Sequence, residues 1–251
     1  MSIYLSEKKL PDTYQQVEYL SNSGTQYIKT NYVPTNDCGF EIKWRDLVEN
    51  AGVTGAGSNY VMGSRNGTGG DIYFAVSGAT NTQTITLTRT GVTSPQYYRR
   101  YGYEYICKGT FRSNEDNSGE LLNLTTGNRI TGTQNSSLNA TATVYLFALN
   151  GTNIHAKVAI YYAKFYNGNG ELINYFIPCY RKSDNVMGMY DLVNRRFYQN
   201  AGTRTFTKGK DVNNERVNIK VLKANDNSYT IKKINAYVLK NESGTYKKIK
   251  L

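Results

Sequence analysis

The segment Gly39-Phe-Glu-Ile-Lys-Trp44 alternates apolar and polar residues, and this pattern decides the fold class. Phe40, Ile42 and Trp44 recur at every second position, which is the period of a β-strand with one buried face. The same alternation is strict over residues 82–88. No convincing amphipathic helix longer than about two turns accompanies it, and helix propensity supports only a short one over residues 45–50. We therefore predict an all-β protein with antiparallel strands.

The composition favours many short strands joined by tight turns. The chain has 251 residues, with 23 Tyr and 23 Gly but only 4 Pro and 1 Trp. Tyr and Thr suit a pleated, half-buried surface, whereas Gly and Asn supply the positive φ angles that turns need. The length fits one all-β domain of roughly 200–250 residues, or one domain with a small appendage.

Several segments make specific predictions. The apolar run Ala142-Thr-Val-Tyr-Leu-Phe-Ala-Leu149 predicts a central strand. The alternation over residues 97–108 puts four side chains on one strand face, namely Tyr101, Tyr103, Tyr105 and Cys107. Clusters of Gly, Asn and Asp predict turns at residues 117–119, 127–128, 167–170 and 191–194.

The net charge of +11 is unevenly distributed along the chain. Residues 208–251 hold 11 basic and 4 acidic residues, a net charge of +7, and the first 207 residues have a net charge of only +4. In the last forty residues Lys alternates with Val, Ile and Leu, which indicates a small β appendage. A lone pair of hairpins is marginally stable in water, so we expect it to lean on the sandwich or on a partner.

Membrane insertion and secretion are not expected. No apolar run approaches the ~18 residues that a spanning helix requires. The N-terminal sequence Met1-Ser-Ile-Tyr-Leu5 is not followed by the apolar region of a signal peptide. Cys38, Cys107 and Cys179 are odd in number and far apart, which argues for buried free thiols made in a reducing cytosol.

The residues of common catalytic sites are missing from the sequence pattern. Glycoside hydrolysis needs two carboxylates facing one bond, and no acidic pair occurs at i, i+2. Glu115 and Asp116 are adjacent, so on a strand they would point to opposite faces. His155 is the single histidine and lies in a turn-like segment. We therefore predict no catalytic residues and no enzyme activity.

Metal and phosphate sites receive little support. One histidine and scattered cysteines exclude a zinc site of the usual spacing. Residues 63–70 are glycine-rich but lack the lysine of a phosphate-binding loop. We expect no cofactor, although a calcium site built from carbonyl groups and Asp71, Asp184 or Asp191 stays open.

Two groups of residues are candidates for binding. Tyrosines next to arginines can stack on sugar rings, and the glycan candidates are Tyr97, Tyr98, Arg99 and Tyr101. The alternative is that these tyrosines only cover the sandwich. Trp44 could be a sugar platform, but its shared face with Phe40 and Ile42 favours the core. The basic strands near the C-terminus supply candidates for docking to a partner, or a solvated face: Lys220, Lys232, Lys233, Lys247 and Lys248.

Two segments resemble a known family. Residues 10–30, which begin Leu10-Pro-Asp-Thr-Tyr14, are similar to the opening of laminin-G-like, concanavalin A-like jelly-roll modules of bacteriophage tail and fibre proteins and of gut-bacterial surface proteins. Residues 144–209 are similar to the end of these modules, through motifs such as Tyr175-Phe-Ile-Pro-Cys-Tyr-Arg181 and Gly188-Met-Tyr-Asp-Leu-Val193. Residues 50–140 match poorly. The resemblance implies a two-sheet jelly-roll sandwich with adjacent termini and no defined catalytic set.

Together these observations predict an N-terminal arm over residues 1–13, a laminin-G-like jelly-roll sandwich over 14–209 and a basic β-hairpin appendage over 210–251. The resemblance implies a non-enzymatic structural protein of a bacteriophage virion, made in the host cytoplasm, that docks to other virion proteins. The alternatives are a glycan-binding adhesin module of a phage or gut bacterium and, with less support, a jelly-roll glycoside hydrolase. We do not expect nucleic acid as a partner, and a homo-oligomer stays open.

Overall fold

The computed structural model describes residues 9–35, 37–47, 59–65, 72–79, 82–89, 92–93, 97–98, 101–111, 116–135, 142–150, 156–212, 216–225 and 228–237. These residues form strands, turns and bends and contain no helix, so the all-β, antiparallel prediction is confirmed. No helix in this part of the chain has the length and apolarity to cross a membrane. The first ten strands are β1 (Tyr14–Gln16), β2 (Leu20–Ser21), β3 (Ile28–Lys29), β4 (Cys38–Asp46), β5 (Asn59–Ser64), β6 (Ile72–Ala79), β7 (Thr82–Arg89), β8 (Val92–Thr93), β9 (Tyr97–Tyr98) and β10 (Glu104–Phe111). The next ten are β11 (Asp116–Asn123), β12 (Arg129–Asn135), β13 (Tyr145–Leu146), β14 (Val158–Asn167), β15 (Leu172–Arg181), β16 (Met187–Asp191), β17 (Arg196–Gln199), β18 (Thr207–Lys208), β19 (Arg216–Asn225) and β20 (Ser228–Tyr237).

Two antiparallel sheets account for the strands up to β18. The larger one runs β12-β11-β10-β4-β14-β15-β16-β17, with β1 beside β15 and β2 between β14 and β18. The smaller one runs β3-β13-β5-β6-β7-β8, with β9 beside β7. Strand β4 therefore lies in the middle of the larger sheet, between β10 and β14, and its nine residues position the site described below.

One apolar core is shared by both sheets. The larger sheet contributes Phe40, Ile42 and Trp44 from β4, and the smaller sheet contributes Met62 and Leu146. Trp44 is fully buried, and its ring stacks on that of Tyr105 with centroids 4.8 Å apart. The prediction that Trp44 belongs to the core is therefore confirmed. Burying side chains of this size supplies the largest share of the favourable free energy of folding.

A second apolar cluster covers part of the outer face of the larger sheet. Ile177 and Cys179 point away from the main core, and Leu10 and Tyr190 pack on them. The ring of Tyr14 lies 5.0 Å from that of Tyr190. The outer face is therefore covered over β15 and β16, whereas polar side chains occupy it over β10, β4 and β14.

The two segments that resemble jelly-roll modules meet along one edge. Residues 17–21 run antiparallel to residues 207–211. The paired stretch begins at a bridge between Val17 and Asp211 and ends where Ser21 is opposite Thr207. Between them, Glu18 N donates to Lys210 O at 2.9 Å. We call these paired segments the closing ladder. It brings the two ends of the sandwich together.

Further hydrogen bonds join the same two segments. Gln26 Nε2 donates to Thr205 O at 2.8 Å, and Asn200 Oδ1 accepts from Tyr27 N at 3.1 Å. Residue 202 must be a glycine in this close packing, because a Cβ atom there would lie only 2.0 Å from Thr25 O. The opening and closing motifs of the sequence therefore build one continuous part of the fold.

Three secondary-structure predictions are wrong. The run 142–149 forms only the two-residue strand β13, because the backbone turns at Phe147, where φ is 67°. Its apolar side chains are buried without a long strand. The predicted turn at residues 117–119 lies inside β11, and Arg45 and Asp46 end β4 instead of starting a helix.

The predicted single strand over residues 97–108 is also interrupted. Tyr97 and Tyr98 form β9, a turn follows at Tyr101 and Gly102, and β10 begins at Glu104. Gly102 has a φ of 76°, which is the conformation that breaks the alternation. Consequently Tyr101 is exposed while Tyr105 and Cys107 are buried.

Other predictions are confirmed. Turns occur at residues 167–170 and 192–195, and Gly127 has a φ of 77° in the turn between β11 and β12. The three cysteines are free and buried. Burial raises the pKa of Cys179 to about 12 and also raises that of Cys107, where the charge of Glu120 adds to the effect. These thiols are therefore protonated and unreactive at neutral pH.

The chain divides into two compact units, residues 1–211 and 212–251. The first contains both sheets of the sandwich. In the second, β19 and β20 form an antiparallel hairpin in which Lys220 is opposite Lys233 and Val221 is opposite Lys232. The domain bounds predicted from the sequence, 14–209 and 210–251, stay a prediction.

Candidate functional site

The outer face of β10, β4 and β14 carries tyrosines and charged side chains. On β4 these residues alternate with the core residues Phe40, Ile42 and Trp44, so the strand has one apolar and one charged face. We call this surface the tyrosine–lysine face. Its members on these three strands are Glu41, Lys43, Arg45, Glu104, Lys108, Tyr161, Tyr162, Lys164 and Tyr166, and two flanking tyrosines complete it, Tyr19 next to β2 and Tyr175 on β15.

A β-bulge in β14 puts two consecutive tyrosines on this face. Ile160 is paired with Trp44, and Tyr162 with the next residue of β4, Lys43, which leaves Tyr161 as an extra residue. In a regular strand Tyr161 and Tyr162 would point to opposite sides. The bulge removes that alternation locally, and both hydroxyl groups reach carboxylates of the face.

Glu41 is the centre of the first cluster. Its Oε1 atom accepts a hydrogen bond from the Tyr162 hydroxyl at 2.8 Å and one from Lys164 Nζ at 3.0 Å. Its Oε2 atom lies 3.4 Å from Lys108 Nζ. Lys164 Nζ also lies 4.7 Å from the centroid of the Tyr162 ring and 5.3 Å from that of Tyr175. Lys164 is thus held by one carboxylate and two aromatic rings.

Glu104 is the centre of the second cluster. It accepts a hydrogen bond from the Tyr161 hydroxyl and pairs with Lys43 Nζ at 2.9 Å. Lys43 Nζ lies 4.4 Å from the centroid of the Tyr161 ring. Beside this cluster, the guanidinium carbon of Arg45 lies 4.6 Å from the centroid of the Tyr19 ring.

The two carboxylates are held in their ionised form. Burial by itself would raise the pKa of Glu41, but the hydrogen bonds from Tyr162 and Lys164 and the charges of Lys164 and Lys108 outweigh it and lower that pKa. Burial would also raise the pKa of Glu104, but the hydrogen bonds from Tyr161 and Lys43 outweigh it and lower that pKa. At neutral pH both groups are therefore negatively charged acceptors.

The partners of the carboxylates are held in their protonated form. Burial raises the pKa of Tyr161 and Tyr162, and their hydrogen bonds to the carboxylates raise it further. Burial would lower the pKa of Lys164, but its hydrogen bond to Glu41 and the charge of that carboxylate raise it instead. The directions of these pKa shifts therefore keep Glu41 and Glu104 ionised and Tyr161, Tyr162 and Lys164 protonated at neutral pH.

An open cleft of ≈ 220 Å³ lies at one end of the face. Gly39 is opposite Thr110 on one side and Tyr166 on the other, so three neighbouring strands form the cleft. Glu41 and Lys108 lie on the side nearest the first cluster, and Asn167 lies on the far side. The cleft is smaller than the roughly 300–1,000 Å³ of typical enclosed ligand pockets. Its size suits one ring of a longer ligand that lies along the surface.

Only part of the sequence-predicted glycan site falls within the described side chains. Tyr101 is 51% exposed, in the turn before β10. Tyr97 and Tyr98 form β9, but the structure does not describe their side chains. Arg99 lies outside the described residues. Glu115 and His155 also lie outside the described residues.

The docking candidates are only partly described. Lys220 belongs to β19, and Lys232 and Lys233 to β20, but their side chains lie outside the described part. Lys247 and Lys248 lie outside the described residues altogether. Their proposed contact with a partner stays a prediction.

Two of the three calcium candidates, Asp184 and Asp191, are engaged by other groups of the protein. Arg181 donates to both carboxylate oxygens of Asp184, with the shortest distance 2.6 Å. Asp191 is buried and accepts five hydrogen bonds from N–H groups. Asp71 lies outside the described residues. Within the described part of the chain, no three His, Cys, Asp or Glu residues cluster as metal ligands would.

The tyrosine–lysine face was not predicted from the sequence. A signal for it exists on β4, because Glu41, Lys43 and Arg45 occupy the positions between the predicted core residues. Which strands lie beside β4 is not written in the local pattern, since β10 and β14 are distant in sequence. The bulge at Tyr161 also leaves no recognisable trace in the sequence.

No family model matches the chain, and no curated protein matches it. The chain is distantly similar to a number of solved structures, including the following three. Scytalido-glutamic peptidase, solved with a peptide-based transition-state analog, has 15% identity over 68% of this chain and 92% of its own, with a TM-score of 0.42. Tailspike protein 2 of Escherichia coli O157:H7 bacteriophage CAB120 has 12% identity over 72% of this chain and 32% of its own, with a TM-score of 0.44. A protein of unknown function from Shewanella oneidensis MR-1 has 10% identity over 66% of this chain and 82% of its own, with a TM-score of 0.37. Similarities this distant give no argument for a function.

Proposed function

We propose that this chain is a non-enzymatic bacteriophage virion protein, associated with the tail or fibre, whose jelly-roll sandwich binds a glycan through the tyrosine–lysine face. The observation that carries the glycan-binding half is the combination of aromatic rings with fixed charges on one open strand face. Sugars are bound by stacking on such rings and by hydrogen bonds to charged acceptors and donors. The five tyrosines and six charged groups of this face supply both.

The electrostatics of the face favour binding over catalysis. A general acid or base works best when its pKa lies near the working pH. The pKa values of Glu41 and Glu104 move the other way, downward. Their spacing is also unfavourable, because Glu104 is opposite Arg45, four residues from Glu41 along β4. The backbone positions of the two residues are therefore about 13 Å apart along the strand, which does not favour the closely facing carboxylate pair of a glycosidase.

The virion half of the proposal is supported by the resemblance of residues 10–30 and 144–209 to phage jelly-roll modules. These segments build the closing ladder, so the motifs that carry the resemblance belong to one structural region. The basic residues near the C-terminus are the proposed contacts to other virion proteins: Lys220, Lys232, Lys233, Lys247 and Lys248.

A glycan array tests the binding half. We expect the full chain to bind at least one bacterial surface glycan and the Tyr162→Ala variant to bind it about tenfold more weakly, since the variant loses the ring that holds Lys164 and the hydrogen bond that orients Glu41, a loss of about 1.4 kcal/mol. Tyr101→Ala tests the separate candidate at the turn before β10. If no glycan binds to the unmodified protein, the binding half is wrong.

Purified phage particles test the virion half. We expect mass spectrometry to detect the chain in particles, and we expect a variant that ends at Val212 to be incorporated at a much lower level. Normal incorporation of the truncated protein would show that the basic segment is not needed for docking. Absence of the full chain from particles would rule out a virion role.

A further inference from the structure

The cleft at the end of the tyrosine–lysine face exists because residue 39 has no side chain. A Cβ at Gly39 would lie 3.2 Å from Gly109 O and 3.7 Å from the Cβ atom of Tyr166. Gly39 is not among the residues with positive φ, so its backbone conformation does not require glycine. Its consequence is space, and that space opens between Thr110 and Tyr166 on the neighbouring strands.

The cations around the cleft are compensated unequally. Lys164 is 25% exposed and is held by Glu41 at 3.0 Å and by two tyrosine rings. Lys108 is 48% exposed, and its distance to the same carboxylate is 3.4 Å. Solvent screens the exposed ammonium group of Lys108, so we expect its ion pair to contribute about 1 kcal/mol or less. Lys108 can therefore exchange its partner at little cost, while Lys164 and Tyr162 keep Glu41 compensated.

The charge of the surrounding surface has the same sign. The tyrosine–lysine face carries four cationic and two acidic side chains. On the next strand, Glu120 lies opposite Lys108 but is paired with Arg129 at 3.2 Å. On the far side of the cleft, the Glu171 carboxylate accepts a hydrogen bond from Asn167 Nδ2 at 2.7 Å. An anionic group in the cleft is therefore attracted to the Lys108 end and repelled from the Asn167 end.

We infer that the cleft over Gly39 binds a carboxylated sugar of the uronic or sialic acid type, with its ring against Tyr166 and its carboxylate on Lys108 Nζ. The inference rests on the proposed glycan-binding function and specifies its ligand class. The ring fills the space that Gly39 leaves, Thr110 offers a hydroxyl group beside it, and the opposed charges at the two ends orient it. The remaining sugars of the glycan extend along β4 towards Lys43 and Arg45.

The test measures the affinity of the full chain for oligogalacturonate and for a sialylated oligosaccharide, each beside its carboxyl-reduced, neutral counterpart. We expect at least one acidic probe to bind. The affinity for its neutral counterpart should be lower by a factor of about ten or more, because a charge-assisted hydrogen bond contributes roughly 1.5–3 kcal/mol. Lys108→Gln should lower the affinity for the acidic probe to that of the neutral one. Lys29→Gln, an exposed lysine on the smaller sheet, should leave it unchanged.

Two further measurements keep the outcomes distinct. Lys108→Gln should leave the melting temperature within about 2 °C, because Lys108 is the solvent-exposed member of its ion pair. Gly39→Ala should weaken the binding of both probes, because the added methyl group narrows the cleft between Gly109 and Tyr166. If the neutral probe binds as well as the acidic one, or if Lys108→Gln binds the acidic probe normally, the inference is wrong but glycan binding stands. If neither probe binds while other glycans on an array do, the ligand class is wrong. If nothing binds, the proposed function fails with it.

Discussion

Asp191 shows how one buried carboxylate organises a turn. Its Oδ1 atom accepts hydrogen bonds from the backbone N–H groups of Tyr175, Val193 and Asn194 at 3.0 to 3.4 Å. Its Oδ2 atom accepts from the side chains of Asn174 and Asn194 at 2.6 and 2.7 Å. The sequence predicts the turn from the Asp and Asn residues, but it does not show that Asn174, on the neighbouring strand β15, completes the network.

Asp191→Ala should destabilise the protein strongly, because it leaves five N–H donors without their acceptor. We expect a loss of at least about 3 kcal/mol in the free energy of unfolding, measured by urea denaturation. Asp191→Asn should cost less, since it keeps the Oδ1 acceptor and loses only the two side-chain hydrogen bonds. Asp184→Asn, at an exposed ion pair, is the matched control and should change stability by less than about 1 kcal/mol. If Asp191→Asn and Asp184→Asn lowered the free energy of unfolding equally, the role given to Asp191 would be wrong.

At the level of the strands, the sequence predicts one face of β4 well and misses what lies beside it. The period-two pattern identifies Phe40, Ile42 and Trp44 as core residues. The site depends on pairing between strands that are separated by more than fifty residues, and local propensity carries no information about such pairing. The apolar run around Phe147 misled the prediction for a related reason, since burial of a segment does not require it to be a strand.

Acid should weaken the tyrosine–lysine face. Because the pKa values of Glu41 and Glu104 are lowered by folding from the ordinary value of 4.5, their stabilising effect is fully present above that pH. It is lost as the pH falls through the lower pKa values of the folded state. At pH values below about 4.5, we expect the melting temperature of the unmodified protein to decrease. The double variant Glu41→Gln/Glu104→Gln should show a smaller decrease over the same range.

Thermal unfolding followed between pH 6 and pH 3 measures this dependence. Asp12→Asn is a suitable control, since the Asp12 side chain is 87% exposed and lies outside the face. It should reproduce the pH dependence of the unmodified protein. A double variant with an unchanged slope would mean that the ion pairs of the face do not contribute to stability.

For the molecule as a whole, every described residue of the shared core belongs to the first compact unit, residues 1–211. The core residues lie between Val17 and Phe206, and the last pairing of its larger sheet is the bridge from Val17 to Asp211. The change in charge near residue 208 predicted a boundary in this region. This boundary stays a prediction, drawn from composition, which averages over many residues and does not depend on strand pairing.

Removal of the residues after Val212 should leave the sandwich folded. We expect the melting temperature of the truncated protein to stay within about 3 °C of the full chain, because every described residue of the shared core lies before Val212. Removal of residues 207–251 should lower it by much more, since that deletion also takes away one side of the closing ladder. Differential scanning calorimetry distinguishes the two outcomes, and similar effects of both deletions would contradict the independence of the first unit.

The closing ladder also determines how the sandwich would respond to tension. The bridge between Val17 and Asp211 is the end of the ladder nearest the C-terminus, so a pull on the C-terminal end loads this bridge first. The hydrogen bonds behind it, from Glu18 N to Lys210 O and from Gly209 N to Tyr19 O, would then break one after another. Such sequential peeling resists force weakly, whereas shearing would load all the bonds at once. The edge that joins the two ends is therefore the place where mechanical unfolding should begin, well before the charged face is disturbed.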